Sequence, residues 1–249
     1  MSFRYKRKVE TFWNHIRLRG ILQKPQKAQT CVLLFHGFTG SKDEAYNHFS
    51  DLSNRLYDVG IASIRFDFGG HGESEGTFET MTQADWLAHL DAMVAFTQTF
   101  SFTYFIAIGF SMGGFLVLKR RHPIFNKIIL INPAVNMSQI INDLQTRATL
   151  TRDGLWQINQ LLMSQEMTES FTKDLSKEDI HCDRPTLVIQ CLEDETVPEE
   201  KVRQIFSDRA SVVFESFHCD HTLSSPSVFE EIALKITRFC LFTPQDLSD

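Results

Sequence analysis

The chain has 249 residues, 43% hydrophobic and 22% charged, with a formal net charge of −6; this globular composition excludes a disordered or fibrous protein. No apolar run reaches the roughly eighteen residues of a membrane-spanning helix, and the basic first twenty residues lack the apolar core of a signal peptide. Five scattered cysteines with no C-x-x-C pair point to a cytoplasmic protein with free thiols, not to a disulfide or zinc scaffold.

Residues 1–30 hold eight Lys/Arg against one acid, leaving −13 on the rest of the chain. This leader reads as a solvated edge strand. A nucleic-acid site calls for basic residues interleaved with aromatics in the body of the fold, so no nucleic-acid partner is expected. Residues 30–36 (TCVLLFH) are short, apolar and β-branched, the signature of a strand buried on both faces. An amphipathic stretch at about 44–59 ends at Gly60, a C′ glycine, and leads into a second strand at 61–66. Thr82, with Asp85 three residues on, starts a helix through Trp86, Leu90 and Val94. Tyr104–Phe110 is a third strand, and the helix after Ser111 stops before Pro123. Residues 127–132, Thr186–Cys191 and 211–217 complete the strands. Helices from Pro198 and over about 226–242 each have proline near the first turn. Strands alternating with helices predict an α/β fold, a mostly parallel central sheet flanked by helices.

Residues 133–180 break this rhythm. They show no strand, but carry a helical stripe at Leu155, Ile158 and Leu162 with Trp156 and Met163 nearby. The segment is too long for a simple connection and reads as a small helical cap inserted into a core of residues 1–132 and 181–249. An extra helix pair packed on the core is the plainer alternative. Phenylalanine supplies 22 of the aromatic residues beside four tyrosines and three tryptophans, an excess with no evident reason in the sequence.

Gly109-Phe110-Ser111-Met112-Gly113 fits G-x-S-x-G between a strand and a helix, where a strained serine is held over the end of a sheet. Side chains at Gly109 and Gly113 would collide with the neighbouring strand and helix. A serine hydroxyl needs a base, and the base an orienting acid, in the order Ser, Asp/Glu, His. Glu193, Asp194 and Glu195 follow the strand Thr186–Cys191, and His218 and His221 follow the strand at 211–217. All fall at the carboxyl edge of the sheet, where open α/β sheets bind ligands. Spacing alone leaves the acid and the histidine open. Two histidines three apart make a weak metal signal, so no metal and no cofactor are expected. His36 and His71 lie in glycine-rich turns suited to structural hydrogen bonds, and most other histidines read as surface or packing residues. In His36-Gly37-Phe38-Thr39-Gly40 the glycines let the backbone approach a ligand, and a free N–H there with that of Met112 would form an oxyanion hole. Asp67–Ser74 lacks the G-K-[ST] ending of a phosphate loop and reads as a tight turn bordering the site.

The motifs HGFTGSK (36–42), RFDFGGHGESEG (65–76) and GFSMGG (109–114) resemble the α/β-hydrolase superfamily. More narrowly they resemble bacterial cinnamoyl/feruloyl esterases and monoacylglycerol-lipase-like relatives. The likeness is dense over 30–135, returns at CLEDETVP and HCDHTL, and is thin across 133–180. It implies Ser111 as nucleophile, Asp194 as acid and His221 as base, with the backbone N–H groups of Phe38 and Met112 as the oxyanion hole. Phe110 and Met112 stand where many cinnamoyl esterases carry His and Gln.

The expected activity is serine carboxylic-ester hydrolysis through an acyl-enzyme on a small to medium ester, with aromatic cinnamoyl or feruloyl esters as one class. Monoacylglycerol lipase or lysophospholipase-like, thioesterase and serine peptidase activities with the same residues are alternatives, as is a non-catalytic binding protein on the same scaffold. Phe110, Trp156, Leu162 and Met163 are candidate pocket residues. The partner expected is a small-molecule ester, with a homodimer compatible. The run 166–200, at a net −8, should disfavour polyanionic substrates.

Overall fold

Two-sided burial explains the continuous apolar runs. In a computed structural model describing residues 5–180 and 183–242, strand β3 (Thr30–Phe35) sends Val32 and Leu34 to one face of a sheet and Cys31, Leu33 and Phe35 to the other. The first face packs on helices α1 (His48–Asp58) and α7 (Pro226–Leu241), through Phe49, Leu52, Ile232 and Phe239. The second packs on α2 (Gln83–Thr97), α3 (Met112–Arg120) and α6 (Glu199–Phe206), through Trp86, Leu90, Phe115 and Phe206.

With β1 (Lys6–Trp13), β2 (Ile16–Gln23), β4 (Ala62–Phe66), β5 (Tyr104–Phe110), β6 (Lys127–Ile131), β10 (Thr186–Cys191) and β11 (Val212–Phe217), the sheet has eight strands in the order β1-β2-β4-β3-β5-β6-β10-β11. Pairings from β4 to β11 are parallel, and β1–β2 and β2–β4 are antiparallel. This is the mostly parallel, helix-flanked sheet expected from the alternation of elements.

The leader is a correction: it forms a hairpin of two strands, not one edge strand. Its turn holds Asn14 at φ 51°, and β2 is largely buried. Three of its basic residues face acids: Lys8 lies 3.2 Å from Glu73, and Arg17 and Arg19 each lie 3.7 Å from Glu75. The charge asymmetry along the sequence is thus partly a local pairing, of small energetic weight at such exposed sites. Helix α1 ends just before Gly60, which takes φ 84°. Helix α2 carries the expected capping box, Thr82 with Asp85.

Residues 133–180 need a second correction. Helix α4 (Met137–Arg147) and the short α5 (Gln165–Ser170) flank a three-stranded antiparallel sheet of β7 (Thr149–Leu150), β8 (Trp156–Ile158) and β9 (Leu161–Met163). Of the supposed helical stripe, Ile158 and Leu162 lie on strands and Leu155 just before one. Ile158 pairs with Leu161 across a turn in which Asn159 takes φ 53°, and Trp156 pairs with Met163. Short strands joined by a tight turn reproduced the three-to-four residue spacing of a helix. None of these strands joins the central sheet. The segment docks on the start of α2, where Ser170 accepts from the Gln83 amide at 3.0 Å.

The phenylalanine excess finds a partial account on the α2–α3 side. Rings meet in sequence from Phe38 to Trp86 (5.9 Å), Trp86 to Phe171 (6.0 Å) and Phe171 to Phe115 (6.1 Å). Ring pairs at such separations add to what area burial gives, and a leucine offers no equivalent edge or face.

Candidate active site

Ser111 sits between β5 and α3 at φ 49°, ψ −116°, a conformation costly for a residue with a side chain. Its neighbours explain how the turn closes. A Cβ on Gly113 would lie 2.0 Å from the carbonyl oxygen of Phe35 in β3, and one on Gly109 would lie 2.6 Å from Gly114 Cα. Only glycines allow strand, elbow and helix to approach this closely. The turn is further fixed by the Ser111 amide, which donates to Ile131 at 2.9 Å.

The loops after β10 and β11 meet over this serine. His221 Nε2 is 3.0 Å from Ser111 Oγ, and His221 Nδ1 is 2.6 Å from Asp194 Oδ2. The other oxygen, Asp194 Oδ1, accepts from the amides of Thr196 (2.9 Å) and Val197 (2.8 Å). Its side chain is fully buried while Glu193 and Glu195 are exposed. His218 points outward, 83% exposed and 3.7 Å from Glu193. Geometry thus singles out Asp194 and His221 where spacing alone could not. The Phe110 ring packs 5.2 Å from that of His221.

Gly37 lies beside the serine, since a Cβ on it would fall 3.3 Å from Ser111 Cβ. Neither the Phe38 nor the Met112 amide donates to a protein acceptor among the described residues. His36 fixes this loop. Its Nε2 accepts from the Phe68 amide at 3.0 Å, so the proton sits on Nδ1, which donates to the Gly37 carbonyl at 2.8 Å. Burial holds His36 neutral, lowering its pKa to about 4. His71 is likewise buried, brought down to about 3 by burial and by the neighbouring His36, and its Nδ1 donates to Gly69 at 3.2 Å. Both residues fill the structural role expected of them; His181 and Cys182 lie outside the described residues.

A cavity of about 400 Å³ opens on Ser111 and His221. Phe38 and Thr39 line one part of it, and Met137, Ile140 and Leu144 of α4 supply an apolar stripe at helical spacing. Leu161 adds to this wall, and Asp143, Arg147 and Glu195 bring charge. None of the four pocket candidates lines it. Met163 is fully buried in the core, Phe110 is buried against His221, and neighbouring Leu161 takes the place given to Leu162 and Trp156. For Leu162 the cause is the alternation of a strand, which sends it to the side opposite Leu161.

One site residue escaped the sequence. Asn132, fully buried at the end of β6 with φ 44°, accepts from the Cys191 amide through Oδ1 and donates through Nδ2 to the His221 carbonyl, each at 2.8 Å. A lone asparagine ending an apolar strand carries no signal of such a bridge. Among the described residues, no group of three or more His, Cys, Asp or Glu is placed to hold a metal ion, and no helix is long and apolar enough to cross a membrane.

Residues 26–203 match the family model Hydrolase_4, described as serine aminopeptidase, S33. No curated protein sequence matches the chain. Among solved structures, Est1E from Butyrivibrio proteoclasticus with ferulic acid bound is 21% identical, with a TM-score of 0.80 over 94% of this chain and 98% of that one. The esterase domain of a Rhodothermus marinus protein is 22% identical, with a TM-score of 0.71 over 95% and 99% of the two chains. Mouse alpha/beta hydrolase domain-containing protein 10 is 16% identical, with a TM-score of 0.72 over 93% and 97%. These likenesses, with the sheet order, establish the α/β-hydrolase fold.

Proposed function

The chain belongs to the serine aminopeptidase S33 family of hydrolases, and we propose that it is a serine carboxylic-ester hydrolase working through an acyl-enzyme. The observation that carries this reading is the continuous relay from Ser111 Oγ through His221 to the buried Asp194 carboxylate. His221 Nε2 takes the hydroxyl proton as Ser111 Oγ attacks the ester carbonyl. The oxyanion is held by the amides of Phe38 and Met112, whose freedom from protein acceptors suits that task. Each such donor contributes about 3–4 kcal/mol to lowering the barrier. Collapse breaks the ester C–O bond, and the imidazolium gives its proton to the leaving alcohol. A water deprotonated by His221 then attacks the acyl carbonyl, and the returning proton releases Ser111 and the acid. Asp194 keeps the Nδ1 proton in place and stabilises the imidazolium.

The cavity supports a small to medium acyl group, with residues 133–180 acting as its cap over a core of 1–132 and 181–249. The ferulic acid held by Est1E makes aromatic esters one class to try here. The family's description as serine aminopeptidases favours amide cleavage as a second reading with the same residues. Buried free thiols at Cys31, Cys191, Cys219 and Cys240 fit a cytoplasmic setting.

The test is hydrolysis of p-nitrophenyl butyrate, a thioester and an aminoacyl amide by one preparation, beside Ser111→Ala. Ester turnover that disappears in Ser111→Ala is expected. Turnover that persists in the variant sinks the reading, and a preference for the amide shifts it to a peptidase.

A further inference from the structure

We infer that Glu44 is a positioning residue for the oxyanion loop, clamping Gly37 so that the Phe38 amide is held facing the reacting carbonyl; the inference rests on the acyl-transfer reading above. Glu44 Oε2 accepts from the Gly37 amide at 2.8 Å, and Oε1 accepts from the Ala45 amide at 3.3 Å. On the other side of Gly37, its carbonyl accepts from His36 Nδ1 at 2.8 Å and from the Gly40 amide at 3.1 Å. Both polar groups of Gly37 are therefore tied. No cis peptide occurs among the described residues, and a trans peptide sets its N–H opposite to its carbonyl. Fixing the Gly37 oxygen toward His36 therefore fixes the Phe38 N–H pointing away from that ring. The carboxylate is let in by its partners, because a Cβ on Gly40 would fall 2.8 Å from Glu44 Oε1.

The backbone carries the second argument. Glu44 has φ 59° and ψ 174°, a region populated essentially by glycine. A residue that only connected β3 to α1 would gain by being glycine there. The strain is maintained by the flanking anchors. Lys42 is tied to Asp67 through its amide (2.6 Å) and Nζ (2.8 Å), and Asp43 accepts from Arg65 Nε at 3.1 Å. Three successive side chains thus fix the segment, and the third reaches back into the site. The carboxyl of Glu44 is pushed up by burial, against the pull of the Gly37 and Ala45 amides and of the His221 imidazole.

Glu44→Gly and Glu44→Gln separate the clamp from a structural role. Glycine relieves the strain and deletes the acceptor; glutamine keeps an acceptor oxygen. With p-nitrophenyl butyrate, Glu44→Gly is expected to lower kcat by about 10- to 100-fold through loss of alignment, with KM within about twofold and Tm unchanged or raised. Glu44→Gln is expected to recover most of that kcat. A glycine variant with kcat within about twofold of the parent overturns the clamp, and so does a glutamine variant as impaired as the glycine one. Ser111→Ala, run in parallel, keeps the two readings apart. Turnover that survives it removes the hydrolase reading and the clamp together, whereas Ser111-dependent turnover untouched by Glu44→Gly removes the clamp alone.

Discussion

Asn132 holds His221 by its main-chain carbonyl, through an Nδ2–H···O bond of 2.8 Å across 89 residues of sequence. The same side chain receives the Cys191 amide at 2.8 Å, three residues before Asp194. One buried amide therefore sets the separation between the His221 loop and the Asp194 loop. Asn132→Gly relieves φ 44° but deletes both bonds. Leaving the Cys191 amide unsatisfied should cost about 1–3 kcal/mol of stability, and the loosened histidine about tenfold in kcat. Denaturant unfolding and steady-state kinetics on one sample check this. A fall in stability without any fall in kcat would show that Asn132 serves the fold only.

The acid and base assignments make a sharper contrast. Asp194→Asn keeps the shape of the side chain but no longer holds the Nδ1 proton, and kcat should fall by about 10³- to 10⁴-fold. His218→Ala and Glu193→Gln, both on exposed side chains, should leave kcat within about twofold. Equal damage from His218→Ala and His221→Ala would refute the assignment.

The apolar stripe of α4 should set the acyl length accepted. Leu144→Trp fills part of the cavity of about 400 Å³, and the preference among p-nitrophenyl esters should move from octanoate towards acetate. The change in kcat/KM for the longest ester should be about 10- to 200-fold, the scale of a methylene or two in a closed pocket. An unchanged chain-length profile would place the acyl group elsewhere.

Acid should destabilise the protein through its buried neutral histidines. His36 is neutral in the native state with its pKa at about 4, against 6.5 when exposed. Between these values the unfolded chain binds a proton that the native one refuses. Stability is therefore complete above pH 6.5, declines as pH falls towards 4, and changes no further through this group below that. The loss over the window is on the order of 3 kcal/mol from His36, with His71 adding in the same direction. Urea unfolding at pH 7.5, 6.0 and 5.0 measures it; a flat profile would mean that His36 is charged in the native state or already shielded in the unfolded one.

Legibility in the sequence follows the range of the interactions involved. Strands buried on two faces announce themselves as runs such as Tyr104–Phe110, because every side chain meets a helix layer. The elbow is legible because Gly109 and Gly113 answer to backbone atoms a few residues or one strand away. Chain order at the sheet edge brought Ser111 together with two short loops, and resemblance chose Asp194 and His221 within them. The 156–163 hairpin was misread because two short strands and a tight turn mimic the spacing of a helix. Leu161 was overlooked beside Leu162 for the same reason. Asn132 acts through the Cys191 amide and the His221 carbonyl, 59 and 89 residues on, and Glu44 through the Gly37 amide seven residues back; main-chain partners of this kind leave no periodicity to read.

The ring contacts around Phe38 turn one residue into an optical reporter. Trp86 is fully buried, donates Nε1–H to the Gly69 carbonyl at 3.2 Å, and touches both Phe38 and Phe171. Trp13 and Trp156, the other two tryptophans, are partly exposed. Emission from Trp86 will thus be blue-shifted and resistant to aqueous quenchers, while theirs is not. Any ligand that displaces Phe38 alters the surroundings of this protected indole, so occupancy of the cavity can be followed by fluorescence with no label attached.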